Sequence, residues 1–404
     1  MSGLRARRLA ERRAARRRAL RRALMVMAAS VVTLVGSVTG VISALGTGHG
    51  SDQARTEATR APAPALMPGT PSPSSPAPGG SPVARTPTPQ PTPPGSAPAP
   101  TGGKQPTAPV SPLLYRHPGS QALDWVRAHP GDPRTAVIAS RITDRPAAVW
   151  FADPDPGTIA AQVRAVTAGA AALRQIPVLV PYAIPDRDCG GASKGGAPDL
   201  VAYDAWIDAF AQGLGSGEAI VILEPDSVAQ SDCLTPAARA DRFASLARAG
   251  QVLKAADPRA RVYYDAGHSG WNPPDKQAAL LRQASADDSD GVFSNVSNFR
   301  TTADEIAYDR RILAALGGPA RLGAVIDTSR NGNGAPPDGQ WCDPAGRRIG
   351  RAPTLDTGEA RIDAYLWVKP PGESDGCRGV AGTFTPSYAY DLARGASAPP
   401  ASAS

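Results

Sequence analysis

Two stretches of this chain place carboxylates where an apolar run stops. Val178-Leu-Val180 leads through Pro-Tyr-Ala-Ile-Pro to Asp186, Arg187, Asp188 and Cys189. Further on, 35 residues after Cys189, Ile220-Val-Ile-Leu223 runs into Glu224-Pro-Asp226. A buried strand that ends in acids sets them at one rim of a sheet, where α/β proteins do their chemistry. Two carboxylates facing each other across a cleft can divide general acid and base work, the arrangement that cuts glycosidic bonds.

The elements that must hold these acids can be read from the spacing of apolar runs. Ala148–Phe151, Val178–Tyr182, Ile220–Leu223, Val262–Tyr264, Val292–Phe293, Ala324–Ile326 and Tyr365–Val368 read as strands. Ile159–Arg174, Tyr203–Leu214, Pro236–Ala256 and Ala303–Leu316 have helical periodicity. Alternating strands and helices predict the α/β class, a parallel sheet with right-handed crossovers. Seven strands predict a closed or nearly closed barrel. Nearly every run exits into polar residues: Asp153 and Asp155, Asp186–Asp188, Glu224–Asp226, Asp265–His268, Asn295–Asn298, Asp327–Asn331 and Lys369–Asp375. That concentration predicts an active site at the C-terminal ends of the strands.

Composition divides the 404 residues into zones. Residues 1–22 hold ten Arg and one acid, Glu11. Residues 23–45 carry no charge, a run long enough to cross a bilayer at ~20 residues per span. Together they read as an export signal or a retained N-terminal anchor with its basic flank in the cytoplasm. Residues 46–112 are rich in Pro, Ala, Ser and Thr, with 18 of the 43 prolines in 61–112, and read as a disordered, extended tether. Residues 113–395 form the folded domain, and 396–404 a disordered tail. The expected location is extracellular, either secreted or tethered to the outer face of the cytoplasmic membrane. Setting aside the ten Arg and one Glu of the leader leaves 33 basic against 35 acidic residues, which argues against a nucleic-acid partner.

Cys189, Cys233, Cys342 and Cys377 are an even set in an exported chain, so two disulfides are expected. Chain order suggests Cys189–Cys233 and Cys342–Cys377. No Cys-x-x-Cys or close His pair is present, so no metal site is read, and no cofactor is called for.

Motifs along residues 113–395 resemble glycoside hydrolase family 6, the inverting cellulases. They are Val180-Pro-Tyr-Ala-Ile-Pro-Asp-Arg-Asp-Cys189 with Gly-Gly-Ala-Ser193-Lys-Gly-Gly196, Ile220-Val-Ile-Leu-Glu-Pro-Asp-Ser227, Tyr264-Asp-Ala-Gly-His-Ser-Gly-Trp271, Asn295-Val-Ser-Asn298, Val325-Ile-Asp-Thr-Ser-Arg-Asn-Gly332, Trp341-Cys-Asp343 and Trp367-Val-Lys-Pro-Pro-Gly-Glu-Ser-Asp-Gly-Cys377. The resemblance implies a distorted β/α barrel that hydrolyses β-1,4-glucan chains with inversion. It puts Asp226 at the general-acid position, Asp188 where that acid is tuned, and Asp375 at the proposed base. Tyr182 matches the residue that forces the reacting sugar out of its chair, and Ser193 one that holds the catalytic water. Trp150, His268, Trp271, Asn298, Trp341, Lys369 and Glu373 lie at or near sugar-binding positions. Read from the residues alone, Trp271 and Trp341 sit in loops suited to stacking on sugar rings, while Trp206 belongs to the core. Arg187 is expected to pair with a neighbouring acid, and Asp265 and His268 have the option of pairing with each other. Lys194, where the serine loop usually carries a small residue, and Gly270 with the Asn272-Pro-Pro274 segment, in the tryptophan loop, depart from the family's pattern.

Exo-acting members roof their cleft with inserted loops, whereas only 34 residues separate Cys342 from Cys377. An open cleft and an endoglucanase are therefore expected, with a cellobiohydrolase as the runner-up. The linker has no aromatics and no cellulose-binding module is visible. An exported glucan-binding protein without catalysis is the reading from a different class, and the full carboxylate set argues against it. A monomer is expected.

Overall fold

The computed structural model describes residues 113–317 and 319–394. The expected leader, apolar run 23–45, linker and tail lie outside these residues. Among the described residues no helix is long and apolar enough to cross a membrane.

Seven strands form one parallel sheet in chain order: β1 Val149–Phe151, β2 Val178–Pro181, β3 Ala219–Leu223, β4 Ala260–Asp265, β5 Gly291–Ser294, β6 Gly323–Asp327 and β7 Ile362–Leu366. Every ladder joins consecutive strands, so each connection is a simple crossover. The sheet curls until its edges meet. β7 and β1 have no ladder, but Ala148 N–H donates to Trp367 O at 2.9 Å and Trp150 Nε1–H to Val368 O at 2.7 Å. This is the expected distorted barrel, seamed by two bonds instead of a full ladder.

Around it run α1 Gln121–Ala128, α2 Thr135–Ile138, α3 Ile159–Ala172, α4 Leu200–Gln212, α5 Pro236–Ala256, α6 Pro274–Gln283, α7 Thr302–Leu316 and α8 Pro386–Arg394. Their starts are chemically marked. Asp199 caps α4 by accepting from Ala202 N–H, Thr235 caps α5 ahead of Pro236, and Thr301 caps α7. Helix α7 stops at Gly317, whose φ of 63° is the left-handed turn that glycine adopts freely. The periodicity above singled out α3, α4, α5 and α7. Helix α6 is not among them: Asn272-Pro-Pro274 reads as part of the tryptophan loop, whereas Pro274 is the helix's first residue.

Side chains alternate between two cores. Val178, Val180, Ile220, Ile222, Tyr263, Phe293, Val325 and Leu366 fill the barrel. Leu179, Val221, Leu223, Val262, Tyr264, Val292 and Ile326 pack against the helices, beside Trp206 and Phe210. Burial on both faces explains why the strands read as continuous apolar runs. β7 begins at Ile362, three residues before its predicted start, because Asp363 interrupts the apolar pattern and accepts from Tyr263 Oη–H at 2.8 Å.

Candidate active site

Many of the acids at the strand ends do not face solvent. Glu224, just past β3, is fully buried and accepts from Ala183 N–H at 2.9 Å and Ile184 N–H at 3.0 Å, the peptide groups that follow Tyr182. Asp265, at the end of β4, accepts from Val228, Ala229 and Gly267 N–H at 3.1, 2.8 and 2.9 Å. Asp327, at the end of β6, accepts from Lys369 and Ser329 N–H, both at 2.9 Å. Asp343 gathers the N–H groups of Asp375, Cys377 and Arg378 at 2.8, 3.0 and 2.9 Å. Each satisfies loop backbone that would otherwise be orphaned on burial. These acids shape the loops, and fewer strand-end acids reach the cleft than the polar exits implied.

Asp226 does reach it. Its backbone is held at φ 70°, and no hydrogen-bond partner meets its side chain among the described residues. Burial first, then the neighbouring charges of Asp265, Asp188 and Asp375, hold its carboxyl well above the usual range. Asp188 sits in a tight turn with φ 55°, followed by Cys189 at φ 46°. Its Oδ2 accepts from both the N–H and the Oγ–H of Ser193 at 2.9 Å. Ser193 Oγ is in turn 3.0 Å from Tyr182 Oη. The Cys189–Cys233 disulfide ties this turn to the loop after β3. Arg187 does not pair with an acid as expected. Its guanidinium donates to the carbonyls of Ala152, Tyr182 and Ser193 and lies 4.6 Å from the Tyr182 ring, so it pegs the serine loop from behind.

Asp375 lies on the loop closed by the Cys342–Cys377 disulfide. Its Oδ2 accepts from Arg330 Nη1–H at 2.7 Å and Asp343 N–H at 3.2 Å, and Lys369 Nζ is 3.7 Å from Oδ1. The Arg330 side chain is fully buried.

The walls are aromatic and polar. Trp150 meets Tyr182 edge-on at 5.1 Å. His268 and Trp271 lie 5.3 Å apart on one loop. The Asp265–His268 pairing does not form, because the backbone has taken Asp265. His268 Nδ1 instead accepts from Gly270 N–H at 3.1 Å. Burial and the Arg300 charge push this imidazole down to about 4, so near neutral pH it is uncharged with its proton on Nε2. Trp341 is 56% exposed, a face free to stack. Glu373 accepts from Gln121 Nε2–H at 3.0 Å, and burial lifts its carboxyl to about 7. Lys369 donates to Ser374 O at 3.3 Å.

Trp150, Tyr182, Asp188, Ser193, Asp226, His268, Trp271, Asn298, Trp341, Lys369, Glu373 and Asp375 all line one cleft of about 1200 Å³ across the C-terminal ends of the strands. Sequence reasoning brought every one of them to the same place. It passed over Glu224, Asp343 and Arg330 as positioning groups, and Gln121 and Arg300 on the walls. The Glu224-Pro-Asp226 motif signalled Glu224 but not that its neighbour alone would face the cleft.

Comparison with known proteins agrees with this geometry. The family model Glycosyl hydrolases family 6 matches residues 112–402. Endoglucanase A of Thermobispora bispora is 50% identical over 288 residues, 71% of this chain and 63% of that protein. Endoglucanase 1 of Streptomyces sp. (strain KSM-9) is 51% identical over 292 residues, covering 72% and 80%. A Mycobacterium tuberculosis endoglucanase, Cel6, solved with methyl-cellobiosyl-4-deoxy-4-thio-β-D-cellobioside, superposes with a TM-score of 0.66 at 41% identity, covering 70% of this chain and 99% of that one. This chain thus spans less than two thirds of the Thermobispora protein's length. On the family model and these relatives, the chain belongs to glycosyl hydrolases family 6.

Proposed function

We propose that the cleft hydrolyses internal β-1,4-glucosidic bonds of cellulose or a related β-glucan with inversion. The observation that carries this reading is Asp226: a carboxyl without a protein partner among the described residues, its proton held more tightly by burial and by three nearby acids, inside a cleft walled by tryptophans. Asp226 gives its proton to the departing glycosidic oxygen, and Asp188 supplies part of the field that keeps it protonated. Asp375 is the proposed base, positioned by Arg330 at 2.7 Å and Lys369 at 3.7 Å. Ser193 and Tyr182, linked by hydrogen bonds to Asp188, hold water and the strained sugar ring. Trp150, Trp271 and Trp341 give faces for sugar rings, and His268, Asn298, Lys369 and Glu373 bond their hydroxyls. The acid and base carboxyls of an inverting site stand ~6.5–9.5 Å apart, leaving room for the water. Two disulfides fit an enzyme that works outside the cytoplasm, secreted or tethered through residues 23–45.

The exo-acting cellobiohydrolase reading has one observation in its favour. The loops carrying Ser193 and Asp375 meet at the rim, where a Cβ added to Gly376 would lie 3.3 Å from the Ala192 Cβ. No hydrogen bond or ion pair joins the two loops there among the described residues, so a polymer that parts them breaks only van der Waals contact. The discriminating test is viscosity loss against reducing-end release on carboxymethyl-cellulose, with Asp226→Asn beside the wild type. Rapid thinning by the wild type alone supports the endo reading. Steady sugar release with little thinning supports the exo reading, and no turnover by either protein overturns both.

A further inference from the structure

Two residues that depart from the family's pattern, Lys194 and Gly270, turn out to concern charge. Gly270 does not need glycine's conformational freedom, since its φ lies outside the left-handed region. What it supplies is space. A Cβ there would fall 2.0 Å from Arg300 Nη2 and 2.3 Å from Cζ. The missing side chain lets the Arg300 guanidinium lie against the His268–Trp271 loop, lining the cleft. No hydrogen bond or ion pair meets that guanidinium among the described residues. Glu305, the acid whose charge it feels, lies buried beneath the loop and accepts from Ser269 N–H. Lys194, exposed on the serine loop, and half-buried Arg145 on the wall also line the cleft without a side-chain partner among the described residues.

The acids of the cleft are engaged elsewhere. Asp188 is turned into the serine loop, where it accepts from the N–H and Oγ–H of Ser193. Asp375 is held by Arg330 and Lys369. Asp226 is protonated in the reading above, and burial lifts Glu373 to about 7. Uncharged glucan hydroxyls can use a guanidinium only as a hydrogen-bond donor. A carboxylate takes the same group as a bidentate, charge-assisted pair. We propose that Lys194 and Arg300 make this cleft selective for β-1,4-glucan chains bearing carboxylates, such as carboxymethyl or C6-oxidised units, over uncharged chains. The proposal rests on the glucan-hydrolase reading of the same site.

The test compares kcat/KM on carboxymethyl-cellulose with kcat/KM on uncharged hydroxyethyl-cellulose, for the full chain. An exposed ion pair contributes ~0.2–1 kcal/mol, so each cation is worth roughly threefold and the two together about tenfold. The anionic-to-neutral ratio is expected to fall about tenfold in Lys194→Gln/Arg300→Gln. Raising salt from ~0.02 to ~0.5 M should lower the wild-type ratio and leave that of the double variant nearly constant. Gly270→Ala, which displaces the guanidinium but keeps its charge on the protein, should lower the ratio by roughly threefold. Turnover of both polymers with an unchanged ratio in all variants overturns the selectivity and spares the glucanase reading. No turnover of either polymer by the wild type overturns both.

Discussion

Glu224 offers a prediction whose size follows from its surroundings. Burial lifts its carboxyl from 4.5 to about 7, against the pull of the Ala183 and Ile184 N–H groups. An acid whose folded value is raised binds its proton more tightly in the native state than in the unfolded chain. Below pH 4.5 it is protonated in both states and adds no penalty. As pH rises through 4.5 to 7 the unfolded chain ionises freely while the native state resists, so stability falls, and above about 7 the loss is complete. At 1.36 kcal/mol per pH unit the loss is about 3 kcal/mol. Glu224→Gln keeps the shape and one acceptor but does not titrate. The difference in unfolding free energy, wild type minus variant, should therefore drop by about 3 kcal/mol between pH 4.5 and 7.5. Urea unfolding with both disulfides intact measures it at each pH, and the subtraction cancels every other titrating group. A difference that stays flat to within about 0.5 kcal/mol, or that grows with pH, would refute the claim that this buried acid resists ionisation.

Asp188→Asn removes one of the negative charges that hold the Asp226 proton. The alkaline limb of the kcat/KM pH profile should move to lower pH, and a limb that stays put or rises would remove Asp188 from the tuning role. Breaking Cys189–Cys233, which spans 44 residues, with paired serines should cost about 2–4 kcal/mol in urea unfolding. It should also lower kcat more than it raises KM, because the freed turn carries Asp188. Asp375→Ala strands the buried Arg330 charge and should destabilise the domain by about 3–5 kcal/mol, whereas Arg330→Met with Asp375→Leu should recover most of that loss. Recovery of stability without recovery of activity would separate the structural pair from the proposed base.

The cleft carboxylates were legible because they follow apolar runs within long, specific motifs. Motif order alone sufficed to bring twelve scattered residues into one cleft. The disulfide partners followed from chain order, since each pair braces a loop bearing a cleft acid. What sequence could not separate were the acids that face the cleft from those that hold its loops. Glu224 and Asp226 are two residues apart in the same motif, yet among the described residues one is consumed by backbone N–H groups and the other meets none. That division depends on where the peptide groups of β2's loop arrive, a tertiary fact with no local signal. Arg187 was misread for the same reason: its partners are carbonyls brought together by the fold, and a carbonyl has no residue code. The meaning of Gly270 depended on Arg300, 30 residues away along the chain.

The most direct test of the central claim is the dependence of Asp226→Asn on the leaving group. Cellotetraose needs a proton on its departing oxygen, whereas a dinitrophenyl β-cellobioside departs without one. Positioned acid catalysis contributes ~10²–10⁴-fold. The variant should lose activity on cellotetraose by about that factor and keep activity on the activated glycoside within roughly tenfold of the wild type. Equal losses on the two substrates, or wild-type turnover of cellotetraose by the variant, would contradict the assignment of Asp226 as the proton donor.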